Sequence, residues 1–212
     1  MGEWYRKITW TKKDEEEFFT KLGRARKDGR AQYLKIQAIT LIDTKKAKLL
    51  TVAEKLINKL FSDYPNDKFE KSSSFKALGD IYKHRKKIDE AIAYYRKAVD
   101  FEAICPNEIS GADLEYAELI VKFKKEKHYN FVEKLITKQI KEDEMSFPLE
   151  KYKAYSILAI INKYKGNNIR AEKFALLAEE NASAETSGFR YHKYLGLVIR
   201  RDQWLDNLVK QK

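Results

Sequence analysis

The sequence predicts an all-α fold assembled from repeated helix pairs, and three observations carry that expectation. In Phe75-Lys76-Ala77-Leu78-Gly79-Asp80-Ile81-Tyr82, the residues Phe75, Leu78, Gly79 and Tyr82 stand at i, i+3, i+4 and i+7, one face of a helix. Ala91, Tyr95 and Ala98 repeat the same logic on a second helix, and Pro106 lies beyond it. Weaker copies of this pair recur along the chain. Composition agrees: 212 residues with three prolines, eight glycines and 43% hydrophobic residues suit one helix-rich domain or one continuous repeat array.

The elements follow in order. Thr11-Lys12-Lys13-Asp14 has the spacing of a capping box, and the acidic run from Asp14 to Glu17 suits a first helical turn through the macrodipole. A helix over 14–28 results, with Phe18, Phe19, Leu22 and Ala25 on its apolar side and Asp28-Gly29 ending it. In the first pair Leu41 takes the Gly79 slot, and Ala53, Ile57 and Leu60 those of Ala91, Tyr95 and Ala98. The third pair has Tyr116, Leu119, Ile120 and Phe123, then Val132, Ile136 and Gln139; the fourth has Tyr155, Leu158, Ala159 and Asn162, then Ala171, Ala175 and Ala178. Leu195-Gly196 with Ile199 opens a last copy, whose second helix is Trp204 to Leu208. The expected organisation is an arm and capping helix over 1–29, then an array over 30–212. Its pairs fall at 30–66, 72–105, 111–143 and 149–183, with a capping pair at 186–212, giving about eleven to twelve helices and no sheet.

The central copy resembles a tetratricopeptide repeat, whose pattern is an aromatic, then Leu-Gly, then Tyr, with Ala and an aromatic on the second helix. Gly79 and Ala91 fit places where two helices approach most closely. The resemblance implies a right-handed α-solenoid of antiparallel helix pairs with a concave surface lined by the first helices. The Gly79-equivalent positions 41, 79, 120, 159 and 196 are 38, 41, 39 and 37 residues apart. These spacings exceed the family norm of about 34 and place insertions in the turns, as at Phe101–Asn107 and Asp143–Pro148.

Charge and motif content narrow the function. The 43 Lys and Arg outnumber 32 Asp and Glu, a net charge of +11 that favours acidic proteins, nucleic acid or anionic surfaces as partners. Cys105 has no partner thiol, which suits a reducing cytoplasm. The N-terminus lacks a signal-peptide-like apolar run, and no stretch approaches the roughly 20 apolar residues of a membrane span. His84, His128 and His192 have no second ligand at metal spacing. Phosphate-loop, nucleophile-elbow and HExxH motifs are missing from the sequence. The expectation is a non-enzymatic protein of the cytoplasm, without cofactor or small-molecule ligand.

On the implied concave face, the positions four and five after each Gly79-equivalent are Lys45-Lys46, Lys83-His84, Lys124-Lys125, Lys163-Tyr164 and Arg200-Arg201. Eight of these ten are Lys or Arg, against 43 of 212 overall. Cations favour helix C-termini through the macrodipole, which explains enrichment but not near-completeness. Ala38, Ile39, Ile42, Leu114, Ala117, Val121, Ile157 and Ile160 offer an apolar floor, with Lys76, Asp80 and Glu118 among them. A basic edge over an apolar floor suits an acidic or amphipathic segment of a partner protein. The alternative is an RNA- or DNA-binding solenoid, which Asp80 and Glu118 oppose. These same two carboxylates argue against the family's clamp for a C-terminal carboxylate, although Lys76 fits its lysine site. Most of Tyr82, Tyr94, Tyr95, Tyr116 and Tyr155 fall on core slots of the repeat, so packing accounts for them better than base stacking does. Trp4, Tyr5 and Trp10 are expected to pack back onto the end of the array.

Overall fold

The computed structural model describes residues 3–142, 145 and 147–210; among them are ten α-helices and no strand. The chain divides into two compact units, 1–112 and 113–212.

The first unit begins with the aromatic arm. The buried Gln37 side chain holds it by two bonds, accepting from Lys7 N (2.9 Å) and donating to the Lys7 carbonyl (2.7 Å). Trp4 packs on Phe18 and Tyr33 with ring centroids 5.4 and 5.0 Å apart, Tyr5 on Tyr33 at 4.8 Å, and Trp10 on Phe18 at 5.4 Å. The arm therefore spends its rings on the unit's own core. Helix α1 (Lys12–Arg24) starts at the anticipated capping box: Thr11 Oγ accepts from Asp14 N, and Asp14 accepts from Thr11 N at 2.8 Å. It ends four residues earlier than expected. The Arg30 guanidinium donates to the Gly23 and Ala25 carbonyls (2.6 and 3.0 Å), satisfying the last turn from outside. A 3₁₀ turn at Lys27–Gly29 then leads into α2 (Arg30–Asp43).

Helix α2 packs on α3 (Ala47–Asp63), and α4 (Lys71–His84) on α5 (Ile88–Ile104). Leu34, Ala38 and Leu41 bury against Ala53, Ile57 and Leu60 in one cluster that extends to Ala77, Leu78 and Ile81. Gly79 is needed where it stands: a Cβ there would lie 2.4 Å from the Tyr95 ring. Tyr95 is fully buried and donates its hydroxyl to Asp80 (2.7 Å), so the ring is fixed at both ends. The extra length anticipated as a turn insertion at Phe101–Asn107 is helix as far as Ile104. Glu102 on that extension accepts from Ser72 Oγ (2.6 Å) and Ser110 N (2.8 Å), so the following loop is tied to α4 and α5.

The second unit comprises α6 (Ala112–Lys122, starting at the unit boundary), a 3₁₀ turn at Glu126–His128, α7 (Tyr129–Lys141), α8 (Pro148–Tyr164), α9 (Asn168–Ala182) and α10 (Gln203–Lys210). Tyr116 of α6 meets Phe131 of α7 with centroids 5.9 Å apart, and Tyr155 of α8 stacks on Phe174 of α9 at 6.2 Å. Asp143 and Glu144 of the expected 143–148 insertion lie outside the described residues, as does Ser146.

The expected first helix of the capping pair at 186–212 is not formed; residues 183–202 hold only turns and bends. Leu195-Gly196 copies the letters of Leu78-Gly79 with different physics. Gly196 has φ +71°, in the left-handed region, and a Cβ on it would lie 2.4 Å from the Phe147 ring. Its carbonyl accepts from Leu149 N (2.8 Å), capping the start of α8 rather than opening a helix.

Candidate functional site

The positions expected to form a basic ladder are not equivalent in the structure. Helices α4 and α8 end five residues past their Gly79-equivalents, at 84 and 164, whereas α2 and α6 end two residues past theirs, at 43 and 122. Lys83-His84 and Lys163-Tyr164 are thus last-turn residues, while Lys45-Lys46 and Lys124-Lys125 lie beyond the helix end. Lys45 and Lys124 are themselves left-handed, with φ 57° and 49°, as is Lys86 after α4 at 61°. After α4, α6 and α8 the chain closes alike: Lys87 N, Lys125 N and Asn167 N each donate five residues back, at 2.9 Å. In this motif the left-handed residue just past the helix lets the orphan carbonyls be satisfied.

Several expected groove residues serve the fold. Lys76 pairs with Asp80 at 3.1 Å, and Asp80 also holds the Tyr95 hydroxyl, so both are committed to the α4–α5 packing. Arg201 grips Glu179 with both guanidinium nitrogens, one bond measuring 2.8 Å, and stands 3.8 Å from Asp206. Glu179 keeps its carboxylate below the usual range through that bond first. Arg200 is exposed in a bend, and Lys45, Lys46 and His84 are exposed in the first unit. Much of the expected apolar floor is inside: Ala38, Ala117, Val121 and Ile157 are fully buried, and Ile42 nearly so.

Three of the expected residues do come together in the second unit. Lys124, Lys163 and Tyr164 border a hollow of about 310 Å³ that also reaches Val121, Ile160 and Leu208. Helix α8 brings Ile160, Lys163 and Tyr164 to it at i, i+3 and i+4. The end of α6 brings Val121 and Lys124, and α10 brings Leu208. The Tyr164 hydroxyl donates to Glu126 (2.8 Å), which raises the phenol's pKa, and its ring meets Tyr129 edge-on at 5.0 Å. Lys163 Nζ donates to the Val209 carbonyl at 3.3 Å, a cation at the C-terminal end of α10. The arrangement sets Ile160 and Leu208 under two ammonium groups, a phenol ring and the Glu126 carboxylate.

Helix α10 lies beside this hollow, on the segment where a helix over Trp204 to Leu208 was expected. It lies on α8 with Leu205 fully buried, and Trp204 sits under Lys122 Nζ, 4.8 Å from its ring centroid. Asp206 accepts the Tyr152 hydroxyl at 2.8 Å; burial, then this bond, push that phenol's pKa up. The spacing of Trp204, Leu205 and Leu208 marked the helix as amphipathic but not its seat.

A second missed cluster is the exposed run Phe189 to Leu195, between two left-handed glycines, Gly188 (φ +81°) and Gly196. The signal available was that pair of glycines eight residues apart. Among the described residues no helix is long and apolar enough to cross a membrane, and no group of three His, Cys, Asp or Glu could hold a metal ion. No family model matches the chain, and neither a curated protein nor a solved structure matches it.

Proposed function

We propose that this protein is a non-enzymatic scaffold of the cytoplasm, working without a cofactor, that holds an acidic or amphipathic segment of another protein against its first helices. In this reading the helix pairs are antiparallel and stack as a right-handed, tetratricopeptide-like solenoid. The hollow bordered by Lys124, Lys163 and Tyr164 over Ile160 and Leu208 carries the proposal, since it joins apolar side chains to two lysines at one place, with the one carboxylate on its rim, Glu126, engaged by the Tyr164 hydroxyl. Helix α10 supports it as a precedent within the chain. It is an amphipathic helix seated on a first helix, with a buried leucine and a carboxylate received by Tyr152.

The test is binding of an amphipathic helical peptide of about 14 residues, with Leu at i, i+3, i+4 and i+7 and Glu beside them, measured at two salt concentrations. Lys124→Glu should weaken it by roughly 1 kcal/mol, about fivefold, mainly through a slower and less salt-sensitive association rate. Peptide binding that is equal in wild type and Lys124→Glu would remove the hollow from consideration.

A further inference from the structure

The run from Ser187 to Arg201 contains no acidic residue and holds Arg190, Lys193, Arg200 and Arg201 with His192. It is a built loop. The Ser187 hydroxyl donates to the His192 carbonyl (2.7 Å) and accepts from Phe189 N (3.3 Å), while Ser187 N donates to the Lys193 carbonyl (2.7 Å). Its base is anchored on the start of α8: Phe189 packs on Phe147 with centroids 5.3 Å apart, and the Gly196 carbonyl accepts from Leu149 N. Between these anchors stand two successive β-turns, closed by His192 N to the Phe189 carbonyl (3.2 Å) and Leu195 N to the His192 carbonyl (3.0 Å).

The corner residues of the first turn are Arg190 and Tyr191, and those of the second are Lys193 and Tyr194. Each turn thus presents one cation followed by one tyrosine, repeated three residues apart. Both tyrosines project into solvent, 82% and 77% exposed, and Arg190 and Lys193 are exposed beside them. The Arg190 guanidinium lies 5.4 Å from the Tyr191 ring centroid. Large rings left in water on a hydrogen-bonded loop mark a contact surface, because the fold itself gains nothing from them.

We propose that these tandem turns are a binding site for single-stranded nucleic acid, separate from the hollow beside α10. The repeat of the surface selects the ligand. A single-stranded polynucleotide offers one phosphate and one unpaired base per unit, and each turn offers one cation and one ring. A folded acidic protein surface supplies carboxylates but no periodic planar partner for Tyr191 and Tyr194, and an anionic lipid surface likewise supplies charge without bases. Stacking accepts every base, so the site reads strandedness and not sequence. The chain's net charge of +11 adds long-range attraction for a polyanion.

The experiment uses the full chain and fluorescein-labelled oligo-dT and oligo-U of about 20 nucleotides, with anisotropy read across a salt series. Matched probes are a duplex, polyglutamate and phosphatidylserine vesicles. Single strands should bind more tightly than the duplex. Tyr191→Ala with Tyr194→Ala should lower single-strand affinity by at least roughly fivefold, the lower end of stacking on one ring, and Tyr191→Phe with Tyr194→Phe should retain it. Arg190→Gln with Lys193→Gln should reduce the slope of log K against log salt by about 1.4, at ~0.7 per phosphate neutralised. Should the alanine pair lower the melting temperature, the phenylalanine pair and the glutamine pair decide. The proposal is overturned if the duplex binds as well as the single strands, or if the glutamine pair keeps the wild-type salt slope while the alanine pair keeps the wild-type affinity. It is equally overturned if polyglutamate or the vesicles show the tyrosine-dependent binding instead, which would assign the loop to an acidic protein or a membrane surface. Binding of the amphipathic peptide at the hollow is unaffected by these loop variants, so either reading can fail alone.

Discussion

Replacing Gly79 and Gly23 by alanine makes one chemical change in two helices with opposite expected signs. In an open helix interior, Gly→Ala stabilises by about 1 kcal/mol through backbone entropy. Gly23 lies in the last turn of α1 with nothing within 4 Å of where a Cβ would stand, so Gly23→Ala should show a gain of up to that size. At Gly79 the new methyl would meet Cδ1 and Cε1 of Tyr95 at 2.4 Å and Cγ at 3.0 Å. The ring cannot retreat, since Tyr95 is fully buried and its hydroxyl is held by Asp80. Overpacking of this kind costs about 1–3 kcal/mol, which exceeds or cancels the propensity gain, so Gly79→Ala should be net destabilising by up to roughly 2 kcal/mol. Two of the three tryptophans, Trp4 and Trp10, belong to the first unit. Urea unfolding followed by tryptophan fluorescence in a Trp204→Phe background therefore reports on that unit. Gly79→Ala placed on Tyr95→Leu should cost less than on wild type, because the branched aliphatic side chain vacates the ring edge. A Gly79→Ala protein as stable as Gly23→Ala would refute the close contact.

Two further outcomes are expected. Lys7, then Lys21, hold the Glu17 carboxyl down to about 2 from an ordinary 4.5; a depressed folded pKa stabilises above the unfolded value and is lost as pH falls through the folded one. The stability difference between wild type and Glu17→Gln, read from Trp4 and Trp10, should thus be full above about pH 4.5 and close towards pH 2, and a gap that persists at pH 2 would contradict the ion pair. Lys124→Gly should stabilise the second unit by about 0.5–1 kcal/mol, because a lysine at φ 49° carries a steric cost that glycine avoids; a loss of stability by denaturant unfolding would show that the left-handed turn is not strained.

How much of this was legible in the sequence follows from which signals are local. The capping box at Thr11 and Asp14 is a four-residue hydrogen-bond pattern, and it formed as spaced. The Gly79–Tyr95 contact could be anticipated because a glycine between apolar residues at helical spacing has few other uses. Leu195-Gly196 carried the same letters and misled. Tyr191, Tyr194, Leu195 and Val198 even stand at i, i+3, i+4 and i+7, yet the segment forms turns. Amphipathic spacing yields a helix only when another surface covers the apolar face, since most helical stability in proteins comes from that packing. Here the following helix, α10, has eight residues and gives its buried leucine to α8, while Tyr191, Tyr194 and Leu195 stay exposed. The two glycines instead bend the chain back to Phe147 and Leu149. The end of α1 was misplaced for a related reason: Arg30, six residues beyond that helix, satisfies its carbonyls.

The helix-end lysines show what spacing alone leaves out of the expected basic ladder. All three non-glycine residues with positive φ among the described residues are lysines, Lys45, Lys86 and Lys124, each just past a first helix. A cation there gains about 0.3–1 kcal/mol from the macrodipole, but the left-handed conformation costs a residue with a Cβ roughly 1–2 kcal/mol. The dipole therefore does not by itself explain lysine in these turns; the turn after α8 holds Gly166 at φ +75° and closes with the same backbone bond as the turns at Lys86 and Lys124. What lysine adds over glycine is a charge on a stiff corner. At Lys124 that charge stands on the rim of the hollow with Lys163, over Val121 and Ile160. Stability given up at a turn and positive charge gained over an apolar floor are thus one choice of residue, and Lys124→Gly should separate them by raising the unfolding midpoint while weakening the acidic peptide.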